Sequence, residues 1–364
     1  MKLTNWCMIV LLVLASCASP TGNIANNEPI HIGSILILSG EGASWGIAAK
    51  NGIDIAVEKI NAEGGIGGRL VSIDHQDDKS DPKIALSAFE NLVQTKGINI
   101  IIGTTWSRSG LALVQQADQN QVLMISPSLG VKEFNEGSKF LFNTWPHDFI
   151  LSEKLAELVF SQGHRNVAVF GQQEVWVQDQ TNAFKRRFEE LGGTVSVLLE
   201  PAPSDVDLRA DAAKVRDAKV DAVVLTNGVV NAGVIAAKRI RELGIDLPFY
   251  SMSLDANIVS QAGEAYEGLV FPTFLTPTKE FTQEYKQKFG LAPDIGADSA
   301  FDAVMMLAHA MNETGSTDPA VLKDALANIK EWNGASGHLV SDGKRGFIKG
   351  FALKKVQNGK IVDA

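Results

Sequence analysis

The chain has 364 residues, 45% apolar, 21% charged and 7% aromatic, which is enough apolar material for two cores and excludes wholesale disorder. Thirty-three Lys and Arg stand against 42 Asp and Glu, a formal charge of −9 with no basic run, which excludes an electrostatically driven nucleic-acid binder. Two cysteines, Cys7 and Cys17, cannot supply a disulfide framework or a zinc cluster.

Both cysteines lie in what reads as a secretion address. Lys2 precedes an apolar stretch over 6–15 that closes with Leu14-Ala15-Ser16-Cys17. About ten apolar residues are too few to span a hydrocarbon layer of about 30 Å. A cysteine directly after Leu-Ala-Ser resembles the bacterial lipobox, in which that thiol carries lipid and becomes the new N-terminus. The alternatives are a plain signal peptide cleaved elsewhere or a short buried helix. We expect a signal peptide over 1–16, lipid on Cys17, and a polar tether over 17–29 containing Ser19, Pro20, Gly22, Asn23, Asn27 and Pro29. Ala18, not Asp, follows the cysteine, so no obvious inner-membrane retention signal is present. The expected location is outside the cytoplasm, in the periplasm or at the cell surface, anchored through that lipid.

From Pro29 the pattern alternates. An apolar run at 30–38 predicts a strand buried on both faces, followed by a glycine-bearing turn at 39–42 and an amphipathic helix over 45–61. Strands follow at 70–74, 98–102 and 122–126. Helices are expected at 82–96, opened by the Asp81 cap and Pro82, and at 107–120. The rhythm restarts after Asn143, with helices at 149–162, 179–191, 207–218 and 230–243 and strands at 166–170, 194–199, 221–225 and 248–251. The fold class is therefore α/β, with two doubly wound parallel-sheet lobes. The tail changes character: helices at 278–289, 298–313 and 319–329, then strands near 337–340, 347–355 and 360–362. Helices without intervening strands must pack on a lobe already made, so the chain crosses between lobes more than once. Open α/β sheets bind ligands at their strand carboxyl ends, which here face the cleft.

Catalytic signatures are weak. Gly40, Gly42 and Gly46 do not fit a dinucleotide fingerprint, because Trp45 takes the third glycine's place, and no P-loop or nucleophile elbow is present. His75 beside Asp74, Asp77 and Asp78 is the best metal candidate, though acids after a strand more often make turns and caps. We expect no catalytic residues, no metal and no cofactor. The post-strand loops are more informative. Loop 39–46 lets backbone approach a ligand; 104–109 opens a helix whose amides favour an anion; 126–130 ends on the same edge. The second lobe offers 172–178, 226–231 and 253–255. Trp45, Trp106 and Trp176 fall in these loops, where an indole can enclose an apolar or cationic ligand or, alternatively, simply pack in the core.

At these residues the sequence resembles the type I periplasmic solute-binding proteins, specifically the branched-chain amino acid (Leu/Ile/Val) binding family of ABC importers. The resemblance rests on HIGSILILSGEGASWGIAAKNGIDIAVEKINAEGGIGGR (31–69), DDKSDP (77–82), VLMISPS (122–128), YEGLVF (266–271) and DSAFDAVMMLAHAM (298–311), with the tail 336–350. It implies two lobes joined by a three-strand hinge, one of 30–146 plus 275–333 and the other of 147–274 plus 334–364. It also implies a small ligand trapped by hinge closure and handed to a membrane permease, by a carrier that is a monomer. Carried onto this chain, the ligand carboxylate falls to Thr105, Trp106 and Ser107 and to Ser128, Leu129 and Gly130, with Trp45 and Trp176 covering the ligand. Members that bind α-amino acids hold the ammonium with an acid in the loop after the strand at 248–251. Ser253 stands there, with Asp255 two residues on, and Val229 occupies a place where an aromatic often sits. Ser80 and Trp106 stand where some members bridge two cysteines. A competing reading from another class is a regulatory or interaction lipoprotein that uses the same fold to bind a protein partner. An extracytoplasmic enzyme has no motif in support.

Overall fold

The computed structural model describes residues 28–40 and 42–364. The leader, Cys17 and the tether as far as Asn27 lie outside the described residues, as does Glu41 of the first loop. Strand β1 (Ile30–Leu36) leads into α1 (Ala43–Ala62), followed by β2 (Val71–Asp77), α2 (Pro82–Glu90), β3 (Ile100–Gly103), α3 (Ser107–Gln119), β4 (Leu123–Ser126), α4 (Lys132–Glu136) and β5 (Leu141–Asn143). The five strands form a parallel sheet in the order β2-β1-β3-β4-β5. The continuous apolar run of β1 is explained by cover on both faces. Ile30, Ile32 and Leu36 pack with Ile53 and Leu307 on one side, while Ile35 packs with Phe89 and Leu113 on the other. Asp81 caps α2 by accepting from the Lys83 amide at 2.7 Å, with Pro82 at the first helical position.

The chain then enters a second lobe through α5 (Asp148–Ser161), β6 (Asn166–Phe170), α6 (Val175–Glu190), β7 (Thr194–Leu199), α7 (Arg209–Asp217), β8 (Ala222–Leu225), α8 (Asn231–Glu242), β9 (Phe249–Tyr250), α9 (Ala256–Ala262) and β10 (Val270–Phe274). It returns to the first lobe for α10 (Lys279–Phe289), α11 (Ala297–Thr314) and α12 (Pro319–Asn328), then makes β11 (Glu331–Gly334), β12 (Gly337–Ser341) and β13 (Phe347–Lys349). Last come β14 (Phe351–Gln357) and β15 (Lys360–Asp363), which complete a seven-stranded sheet ordered β15-β14-β10-β9-β8-β6-β7. Strands β6 to β10 run parallel; β14 and β15 add antiparallel on the β10 edge.

Three crossings therefore join the lobes: after β5, after β10, and between β13 and β14. The strand expected over 347–355 breaks at Gly350, whose carbonyl accepts from the Leu275 amide at 2.9 Å where two crossings run together. The three-stranded antiparallel sheet of β11, β12 and β13 packs on the first lobe, because Leu339 and Phe347 enter the core of Ile32, Ile102 and Leu307. Residues 334–349, expected in the second lobe, thus lie with the first. Lys349 reaches back to Asp298 at 3.0 Å, both side chains 3% exposed, and fastens the third crossing to α11.

Candidate functional site

Helices begin just beyond the strand ends of both sheets, and their first turns meet in the cleft. Gly46 makes this possible in the first lobe: a Cβ there would lie 1.8 Å from the Ile37 carbonyl oxygen, so only glycine lets α1 start directly over β1. Trp45 is thereby held over the cleft. Trp106 is the residue before α3, in an extended conformation, and Trp176 is the second residue of α6. Trp45 was expected where the first loop meets its helix and the other two on loops; the structure puts Trp45 in the first turn of α1, which starts at Ala43, and Trp176 in that of α6, which starts at Val175, four residues before the expected 179.

The three indoles meet across the cleft. Trp45 stacks on Trp106 with ring centres 5.7 Å apart, and Trp176 from the other lobe stands edge-on to both at 6.3 Å. Trp145, on the first crossing, completes the wall. Together they wall a partly open cavity that also exposes Thr105, Ser107, Ser128, Gly130, Asp148, Gln180, Val229, Ser253 and Ile295. Four of the chain's six tryptophans line this one space.

Polar groups of the two walls are arranged differently. In the first lobe the hydroxyls are already engaged: Thr105 Oγ1 accepts from the Ile37 amide at 3.0 Å, and Ser128 Oγ donates to the Thr105 carbonyl at 3.3 Å. Ser126 Oγ accepts from the Leu129 amide at 3.1 Å and donates to the Thr104 carbonyl at 2.8 Å. What remains is the Thr105 O–H and the start of α3, which has no side-chain cap, so its first amides and the Ser107 hydroxyl join the donors this wall presents.

In the second lobe, Asp148 opens α5. The residue as a whole is half-buried, but its carboxyl group is enclosed, and that burial pushes its pKa up to about 6. Oδ1 accepts from Trp145 Nε1 at 3.2 Å and Oδ2 from Gln180 Nε2 at 3.0 Å. Gln180 Oε1 and Trp176 Nε1 are buried with no hydrogen-bond partner among the described residues, one acceptor and one donor on this wall. Arg108 at the start of α3 pairs with Glu174 at the start of α6 and ties the two walls together at the rim.

Of the residues singled out in the sequence, Trp45, Thr105, Trp106, Ser107, Ser128, Gly130, Trp176, Val229 and Ser253 line the cavity. Leu129 does not: its side chain is fully buried in the core, because the loop turns it inward between Ser128 and Gly130. Asp255 does not either. It caps α9 by accepting from the Ile258 amide at 2.7 Å, and it borders an adjoining chamber near the hinge. Trp145, Asp148, Gln180 and Ile295 were not anticipated. Gln180 sits one turn after Trp176 on the same face, a spacing that would have shown it had the helix start been placed earlier.

The metal candidate dissolves into local chemistry. His75 contacts Ser34 Oγ at 2.6 Å and Asp54 Oδ1 at 3.0 Å, Asp77 accepts from Ser39 Oγ and the Leu38 amide, and Asp74 pairs with Lys96. No cluster of three potential ligands exists among the described residues. The Ser34–His75–Asp54 chain has the residue types of a hydrolase triad, but Ser34 is wholly buried in β1 and closed to any substrate. No helix of the described residues is long and apolar enough to cross a membrane.

Comparison with known proteins supplies the context for this cavity. A family model described as periplasmic binding protein matches residues 29–360. The Leu/Ile/Val-binding protein BraC3 of Rhizobium johnstonii is 28% identical over 346 residues, covering 92% of this chain and 94% of its own. Among solved structures, the leucine binding protein LivK of Thermotoga maritima superposes with a TM-score of 0.85 at 25% identity, covering 92% of this chain and 97% of its own. The branched-chain amino acid transporter binding protein LivJ of Streptococcus pneumoniae, in complex with isoleucine, gives 0.81 at 25% identity with the same coverage.

Proposed function

Because the chain belongs to the periplasmic binding protein family, we propose that it captures a small carboxylate-bearing solute between its lobes and presents it to an ABC importer. The observation that carries this reading is the uncapped start of α3, which faces a cavity walled by four indoles at the junction of the lobes. A helix N-terminus supplies oriented amides and a partial positive charge, which suit a carboxylate, while indole faces cover the rest of a small organic solute. The relatives named for leucine, isoleucine and valine, and the isoleucine held by the pneumococcal protein, support an amino acid or a solute of similar size. The first lobe in this reading runs over 30–146 and 275–349, and the second over 147–274 and 350–364. They close on the ligand about the three crossings. The family acts outside the cytoplasm, and lipid on Cys17 would hold this member at a membrane surface.

The test follows from the indoles themselves. Tryptophan emission and thermal melting are recorded on the purified protein, after unfolding and refolding to strip any bound solute, against the common amino acids, their deaminated and N-methylated analogues, amides and aromatic carboxylates. One saturating change in emission with a raised melting temperature is expected. A panel with no response would reject solute capture, and pull-down for a protein partner would then take precedence.

A further inference from the structure

Amino acids carry a positive charge as well as a carboxylate, and a buried ammonium without a counter-charge costs several kcal/mol. The loop after β9 is where the resemblance expects the acid. It presents Ser253 to the cavity, while Asp255 is committed to the α9 cap. Asp148 is the only carboxylate lining the cavity among the described residues.

Resting on the solute-capture reading, we propose that Asp148, Gln180 and the indole wall form the subsite for a positively charged nitrogen, so that the preferred solute is a zwitterion: its carboxylate at the start of α3 and its ammonium, alkylated or not, against Asp148. Three observations converge on this assignment. First, Asp148 has two neutral donors and no cationic partner among the described residues, so its negative charge is uncompensated. Second, Gln180 is oriented by giving its amide hydrogen to Asp148, which leaves Oε1 as a second acceptor in the same space, six per cent exposed and unpartnered. Third, the cavity these groups line is also walled by the indoles of Trp45, Trp106, Trp145 and Trp176, and indole rings attract ammonium and alkylammonium groups. Gly130 clears the way: a Cβ there would lie 1.9 Å from Asp148 Oδ2, so any other residue would displace the carboxyl group.

The charged groups around Asp148 are paired elsewhere apart from Asp179, which burial also holds above the usual carboxylate range. Asp179 on α6 is the one that acts on it through space, and it raises the cost of ionisation. His147 turns away to Asn135 and Asp342, Arg108 of α3 is paired with Glu174, and Lys349, whose ammonium lies over the Trp145 ring, is paired with Asp298. A bound cation therefore favours the ionised carboxylate, and binding releases a proton where the free protein holds one.

Two matched pairs isolate the charge. Glycine betaine and 3,3-dimethylbutanoate share a shape and differ by nitrogen for carbon; L-leucine and 4-methylpentanoate differ by the ammonium group. By titration calorimetry at about pH 8, at least one zwitterion is expected to bind about tenfold or more tightly than its carboxylate partner without the positive charge. The preference should shrink toward about pH 5 as Asp148 takes up a proton, and it should vanish in Asp148→Asn. The pH arm uses the unaltered protein and so stands even if the variant folds poorly. Equal or tighter binding of the carbon analogues would overturn the Asp148 subsite while leaving solute capture in place, as would a preference that survives Asp148→Asn. No binding of either zwitterion would also overturn it, and a response to another solute in the wider panel would then show that capture itself still holds.

Discussion

The two walls of the cleft are built from the same kind of element, a helix starting just past a strand, yet they use their polar groups in opposite ways. The wall of the first lobe closes its own hydrogen bonds. Thr105, Ser126 and Ser128 are tied to neighbouring backbone, and the main-chain amides of α3 with the Thr105 and Ser107 O–H groups remain to meet a solute. The wall of the second lobe leaves side-chain groups short of partners among the described residues: Trp176 Nε1 and Gln180 Oε1 have none, and the enclosed Asp148 carboxyl accepts from Trp145 and Gln180 but has no counter-charge. The first wall is thus complete before a ligand arrives and recognises the feature common to many solutes, a carboxylate. The second is completed by the ligand and is where choice among carboxylates arises. Preorganisation in one half and dependence in the other is an economical way to obtain both affinity and closure, since the unsatisfied half gains most when the lobes meet around a solute.

Removing the central indole of the dependent wall should give the largest effect. Trp176 is 8% exposed and contacts both Trp45 and Trp106 across the cleft. Trp176→Ala is expected to weaken solute binding about a thousandfold, or about 4 kcal/mol, within the range for a buried aromatic at the centre of a contact. Trp332 provides the contrast. It donates to Asp302 at 3.4 Å on the first lobe, away from the cleft. Trp332→Ala should lower the melting temperature and leave affinity within a few-fold. If the two variants lost affinity alike, the loss would reflect general destabilisation and the distinction between the walls would fail.

How much of this was legible in the sequence follows from the same contrast. The first lobe's wall is made by loops right after strong apolar strands, with Asp81-Pro82 fixing the register of what lies between, so the loops 104–109 and 126–130 could be placed from pattern, and the resemblance singled out Thr105, Ser107 and Ser128 within them. The second wall depends on elements whose signals are faint. Strand β9 is two residues long, and β10 carries Pro272, which argues against a strand wherever it is met. Helix α6 opens with Val175 and Trp176 after Glu174, which makes no side-chain cap, so its start read as loop and Gln180 went unremarked. Asp148 follows a three-residue strand, β5, on a crossing whose course depends on the whole fold. Asp255 shows the converse: a carboxylate beside the site is drawn off by a local helix end that offers it a backbone amide.

The second effect concerns stability, and it separates the walls by pH. Burial raises the Asp148 pKa from 3.8 to about 6, so the folded protein holds that proton more tightly than the unfolded chain does. The stabilisation from the proton is therefore complete below about pH 4 and is lost as the pH climbs through 6. A shift of about two units corresponds to roughly 3 kcal/mol. Ligand-free Asp148→Asn should accordingly exceed the unaltered protein in stability at about pH 8 and lose that advantage at about pH 4, as measured by urea unfolding across pH. A constant difference at all pH values would mean that the carboxyl group is not the strained member of this wall. The expected gain on removing Asp148 also implies that the residue is retained at a cost to the empty protein, as a group that serves binding does.

The smallest effect tests the rim where the walls join. Arg108 is 48% exposed on its side chain, whereas its partner Glu174 is 7% exposed. An ion pair with one member this open to water is screened, and Arg108→Ala should weaken binding only a few-fold, about 0.5–1 kcal/mol. The loss should be greatest at low salt and should disappear by about 0.5 M, where the Debye length falls to a few ångströms. That salt dependence discriminates between two roles. If Arg108 only holds the lobes together, the variant and the unaltered protein converge at high salt for every solute. If the guanidinium instead reaches into the cavity and binds the carboxylate, a gap of tenfold or more persists at high salt. The first wall would then owe its anion recognition to a mobile side chain and not to the fixed amides of α3, and the contrast between a finished wall and a waiting one would reverse.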